Sequence, residues 1–127
     1  MYFTNDYIMR MIEIAIHGLA SLVFNRQIPA VLLFDEAGNP SSSGLLYHRL
    51  KKLLQLGEIN EAENLLFEEI ERNPLDAHLQ TAIQFYQDIA QLTDEALQSR
   101  HFSRDEVLEG VVDVGRIYGV DLTQYLF

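Results

Sequence analysis

Residues 56–74, LGEINEAENLLFEEIERNP, decide how this chain is read. A glycine, a polar opening turn, apolar residues at helical spacing and a closing Asn-Pro describe one amphipathic helix with a turn before it. Gly57 can adopt the left-handed conformation that ends a preceding helix, and Pro74 cannot continue the helix that follows. Asn60 reads as an N-cap with Glu63 three residues on, a capping-box spacing in which Asn replaces Ser or Thr. Ala62, Leu65, Leu66 and Ile70 form the apolar face with Phe67 at its flank. Glu61, Glu68, Glu71 and Arg72 face water, and Glu68 and Arg72 stand at i,i+4. Glu69 lies beside the buried stripe, where an Arg from another helix would satisfy it.

Working outward, Leu45, Leu46, Leu50, Leu53 and Leu54 follow Ser43, which predicts a helix running to about Leu56. Asp76 is positioned to cap a further helix with Leu79, Ala82, Ile83, Tyr86, Ile89 and Ala90 on one face. Thr93-Asp94-Glu95 starts a short helix. Ser103-x-x-Glu106 is a capping box opening a last helix with Val107, Leu108, Val111, Val114, Ile117 and Tyr118, closed by Gly119. The remaining VDLTQYLF is apolar enough to dock on the body of the protein.

At the other end, Thr4 or Asn5 caps a helix over Tyr7–Phe24 with Asp6 in its first turn. Ile8, Ile12, Ala15, Leu19 and Leu22 recur at helical spacing, and Met9, Met11, Ile14, Ile16, Ala20 and Val23 widen that seam. Arg10, Glu13, His17 and Ser21 leave only a narrow polar stripe. A helix this apolar is expected to be buried on more than one side, centrally in a bundle or against a second copy. Residues 25–43 break the pattern: Pro29 could open a short helix to Glu36, or AVLLF could lie extended, and GNPSSSG reads as loop. No strand pattern competes. The expected fold is all-α, a single domain over 1–127, built as a bundle of five or six helices.

Composition narrows the function. The 127 residues carry nineteen acids against nine bases, a formal charge of −10, so phosphate is repelled at long range and both nucleic acid and anionic membrane surfaces are disfavoured. No cysteine is present, which removes disulfides, thiolate metal sites and cysteine nucleophiles and fits a cytoplasmic setting. The N-terminal stretch has no basic region or cleavage site of a secretory signal. Arg10, Glu13 and His17 interrupt its apolar run, which argues against a membrane span.

Convergent chemistry is sparse. His17, His48, His78 and His101 occupy separate elements with no metal-ligand spacing, and they read as surface or capping residues. The glutamates around residues 58–71 read as a solvated face, the serines at 41–43 lack a nucleophile elbow, and GNPSSSG lacks the lysine of a phosphate loop. No catalytic, metal-binding or cofactor-binding residue is assigned.

Leu45–Pro74 is similar to the tetratricopeptide pattern, with Gly57 in the turn, Ala62 early in the second helix and Pro74 after it. Glu69 departs from that pattern, and the landmarks are not repeated in residues 76–109, so a stacked solenoid is not expected. More broadly, NDYIMRMIE (5–13), INEAENLLFEEI (59–70), Phe85-Tyr86, FSRDEVLEG (102–110) and Tyr118-Gly119 together resemble a family of small bacterial proteins, common in Gram-positive anaerobes, known only as a domain of unknown function. That resemblance implies a cytosolic helical protein with no activity or catalytic residue to carry over.

The function read from the sequence is non-enzymatic, through protein–protein contact or self-association. The first helix would form a homodimer through Tyr7, Ile8, Met11, Ile12, Ala15 and Leu19. The alternative is a small-ligand binder or enzyme with a pocket between helices lined by His17, Phe85, Tyr86 and Tyr118. The aromatic residues near both ends, Tyr2, Phe3 and Tyr7 with Tyr125, Leu126 and Phe127, are expected to pack together.

Overall fold

The computed structural model describes residues 5–26 and 42–126. The readings made for the 25–43 loop and for Tyr2, Phe3 and Phe127 therefore lie largely outside the described residues. Among the described residues six helices follow one another: α1 (Asn5–Asn25), α2 (Ser42–Gln55), α3 (Ile59–Arg72), α4 (Asp76–Ala90), α5 (Asp94–Ser99) and α6 (Arg104–Ile117). A 3₁₀ turn, η1 (Leu122–Tyr125), follows α6, and no strand occurs among the described residues. The all-α expectation holds.

Three helix ends share one device. Glu58 N–H donates to the Leu53 carbonyl at 2.9 Å, Phe102 N–H to Leu97 at 3.0 Å and Val120 N–H to Gly115 at 2.8 Å. Each of these bonds spans a residue in the left-handed region: Gly57 (φ 77°), His101 (φ 58°) and Gly119 (φ 88°). These are Schellman closures, and they turn the chain back on itself without leaving the last carbonyls unpaired.

Helix starts agree with the sequence in part. Thr93 accepts from the Ala96 N–H at 3.0 Å, and Ser103 accepts from the Glu106 N–H at 3.2 Å while its hydroxyl donates to the Glu106 carboxylate at 3.2 Å. The expected capping box of Asn60 and Glu63 does not form. The residue before α3 is Glu58, which makes no side-chain cap, and Asn60 instead donates to the His101 carbonyl at 3.2 Å. Asp76 likewise lies inside α4, behind Leu75, and pairs with Arg26 at 3.2 Å. Glu69 is satisfied within its own helix, accepting from Arg72 with both oxygens at 2.7 Å; Arg72 is thus engaged three residues back, not with Glu68.

The central helix is α4, not α1. It touches α1, α2, α3 and α6 and buries His78, Leu79, Thr81, Ala82, Ile83, Phe85, Tyr86 and Ile89. Those residues cover more than half of the helix circumference, and Gln84 and Gln87 face outward. α1 packs against α4 and α6 through Ile8, Ile12, Ala15 and Leu19, all at most 5% exposed. α2 and α3 form an antiparallel hairpin around Gly57, and α3 contributes Ile59, Ala62, Leu66 and Ile70 to the common core.

Candidate functional site

A part-buried polar pair is built where α3, α4 and α6 meet. The Tyr86 ring is fully buried, packs edge-on against Phe85 at 5.0 Å and donates its hydroxyl to Glu63 Oε2 at 2.7 Å. Room for that bond exists because the α6 residue facing it is Gly110: a Cβ there would lie 2.6 Å from both Tyr86 Cζ and Glu63 Oε2. Burial raises the Glu63 carboxyl above its ordinary range, against the lowering effect of the tyrosine bond, and the nearby charges of Glu106, Asp113 and Glu109 add to the rise. Burial and the Glu63 charge also push the Tyr86 hydroxyl far upward. A tyrosine held this firmly protonated donates a structural hydrogen bond and is no general base at neutral pH.

A second tyrosine joins the chain's distant parts. The buried Tyr118 donates to the Leu75 carbonyl at 2.7 Å, and burial again raises its hydroxyl, chiefly ahead of the Asp76 charge. Arg26, just beyond α1, donates to the Tyr118 carbonyl at 2.9 Å and to Asp76 at 3.2 Å, with its guanidinium 6.0 Å from the Tyr118 ring centre. Arg104 acts similarly on α4, donating to the Ala90 carbonyl at 3.0 Å and to Asp94 at 2.9 Å, a cation at a helix C-terminus. These polar groups are consumed by the fold.

The open surface is different. α1 turns Asp6, Tyr7, Arg10, Glu13, Ile14, His17, Ser21 and Phe24 away from the core. Phe24 is 83% exposed, Tyr7 43% and Ile14 41%, and Tyr125 of η1, which lies across a groove from Ile14, is 62% exposed. Ile14, His17, Gly18, Leu22, Val120 and Tyr125 line a groove of about 240 Å³. On the other side of His17, Met9, Glu13, Ile16, Ala20 and Gln87 line an open groove of about 520 Å³ between α1 and α4. A cleft of about 190 Å³ lies elsewhere, between α2 and α4, lined by Lys51, Leu54, Asp88, Leu92 and Arg100. Lys51 Nζ stands 3.9 Å from the buried Asp88 Oδ2 there.

The candidate residues read from the sequence separate in space. Ile8, Met11, Ile12, Ala15 and Leu19 are buried in the chain's own core, so the face they form is already covered; of that set only Tyr7 is exposed. The pocket of His17, Phe85, Tyr86 and Tyr118 does not assemble: the three aromatics are core side chains, and His17 lies outside, between the two α1 grooves. His78, expected near the surface, is buried, and burial lowers its imidazole's affinity for a proton. The sequence reading missed Ile14 and Phe24 as exposed residues. Phe24 stands seven residues after His17, two helical turns along the same polar stripe, and that spacing was the available signal.

By length and composition, Asp6–Asn25 is long and apolar enough to cross a membrane, with mean hydropathy 1.5, because Arg10 and Glu13 interrupt it too little. The inner face of α1 is packed on α4 and α6, and 28% of that apolar window is buried. Among the described residues, no group of three or more His, Asp or Glu is placed to hold a metal ion.

The chain belongs to the DUF6483 family, a family of unknown function whose match covers residues 2–119. No curated protein matches it, and no solved structure does.

Proposed function

We propose that this member of a family of unknown function acts by protein–protein contact through the outward face of α1, and not by catalysis. The observation that carries the reading is that α1 carries large apolar side chains on both sides, including among the polar residues of its outward face. Its inner face completes the core, yet Tyr7, Ile14 and Phe24 remain exposed, and Ile14 shares a groove with Tyr125 of η1. Large exposed side chains grouped on one element are what a contact surface requires, whereas the buried Tyr86 donates to Glu63 and the buried Tyr118 to the Leu75 carbonyl. The cysteine-free composition supports a cytoplasmic setting for that contact.

The test compares the wild-type chain with the Ile14→Asp, Phe24→Asp double variant, in sedimentation velocity and in affinity capture with mass spectrometry. Both positions are exposed, so the circular dichroism spectrum and melting midpoint are expected to change little. Any self-association or captured partner specific to the wild type is expected to weaken at least about tenfold, the effect of losing a central apolar contact. Contacts that persist unchanged in the double variant would overturn the reading.

A further inference from the structure

The ionisable side chains on the outward face of α1 alternate between acid and base types: Asp6, Arg10, Glu13 and His17, spaced four, three and four residues apart. All four are exposed, and none forms an ion pair with another among the described residues, although their separations are those of neighbouring helical positions. The order acid, base, acid, base becomes base, acid, base, acid when read backwards, and the spacing is unchanged by that reversal. A helix with this pattern is complementary to an inverted copy of itself.

We propose that the partner seated on the outward face of α1 is a second copy of this chain, paired antiparallel about a twofold axis between Met11 and Ile12. This rests on the contact reading above and adds the occupant and its register. In that register Arg10 meets the partner's Glu13 and Asp6 meets the partner's His17, each pair occurring twice by symmetry. A parallel twofold pairing would instead set Arg10 against Arg10 and Glu13 against Glu13, which is repulsive. The wider charge argues for the same face. With a total of −10, most approaches of two copies are opposed, and α3 and α6 turn Glu61, Glu68, Glu71, Asp105, Glu109 and Asp113 outward. On α1 the twofold sets each Arg10 against a Glu13 and each Asp6 against an imidazole, so two copies meet there with attraction, and the flanking Tyr7 and Ile14 supply apolar area to cover.

The experiment uses charge exchange on the full chain. Arg10→Glu and Glu13→Arg are each made singly, with circular dichroism as the check on folding, and the wild type, each variant and their equimolar mixture are measured by sedimentation velocity and native mass spectrometry. The wild type is expected to dimerise, with an affinity that falls as salt rises. Each single variant is expected to lose at least about tenfold, because both of the twofold-related contacts between positions 10 and 13 become like-on-like while those between Asp6 and His17 are unchanged. The mixture is expected to recover a heterodimer, since one protomer then offers two acids and the other two bases. A wild-type dimer broken by Ile14→Asp but not rebuilt in the mixture would overturn this register while leaving the contact reading intact. A dimer indifferent to Ile14→Asp would overturn both. A chain that stays monomeric at high micromolar concentration, or that floats as a monomer with phosphatidylcholine vesicles, would overturn the self-pairing outright.

Discussion

Glu63 shows how one residue's role depends on what the fold places opposite it. In the sequence it stands three residues after Asn60 and reads as the second half of a capping box. In the structure it accepts from the buried Tyr86 hydroxyl, with Gly110 leaving the space. Burial, reinforced by Glu106, Asp113 and Glu109, makes its carboxyl hold a proton more readily folded than unfolded. The stability gained from that proton is present in full below the ordinary carboxylate value and is lost as pH rises through the raised folded value. Glu63→Gln keeps an acceptor for Tyr86 and has no proton to lose. It is expected to raise stability at pH 7 by about 1 kcal/mol, with the gap to wild type closing toward pH 4. Thermal melts across that range test this; a lower midpoint for the variant at pH 7 would mean that the charged carboxylate's bond to Tyr86 outweighs its burial. Nothing in residues 60–63 could have revealed this, because Tyr86 and Gly110 lie on other helices.

At the scale of the element, termini were more legible than the partners they meet. Gly57, Gly119, Thr93 and Ser103 perform the turns and caps their types suggest, since those interactions close within a few residues. His101 departs from that rule. It takes the left-handed closing position of α5 at φ 58°, where its side-chain carbon costs on the order of 1 kcal/mol relative to glycine. Its backbone carbonyl also receives the Asn60 amide, which ties the start of α3 to this turn. His101→Gly leaves that carbonyl in place and is expected to stabilise the protein by about 0.5 kcal/mol, after the extra freedom of glycine in the unfolded chain is subtracted. Urea titration of the two chains measures it, and a loss of stability would show that the imidazole contributes more than the strained backbone costs.

At the scale of the whole molecule, the C-terminal turn closes the bundle. Leu122 is fully buried between two glycines: a Cβ at Gly18 of α1 would lie 2.7 Å from its Cδ2, and one at Gly115 of α6 would lie 2.9 Å from its Cδ1 and 3.1 Å from the Val120 carbonyl oxygen. Alanine gains about 1 kcal/mol over glycine inside a helix. At Gly18 only a leucine methyl must yield, so Gly18→Ala is expected to be near neutral. At Gly115 a backbone oxygen and the leucine branch point are both in the way, so Gly115→Ala is expected to cost about 1–3 kcal/mol and to lower amide protection across residues 120–126. Equal stabilities for the two variants would sink that distinction. The seat itself was legible only as an apolar tail that should dock. By itself the sequence determined the helices, most of their ends and the apolar faces, because periodicity and capping act over one or two turns. Which helix became central, where Glu63 and the tyrosines found partners, and which side of α1 stayed open were decided by tertiary packing. Both faces of α1 carry apolar residues, and only the docking of α4, α6 and η1 determines which of them is covered.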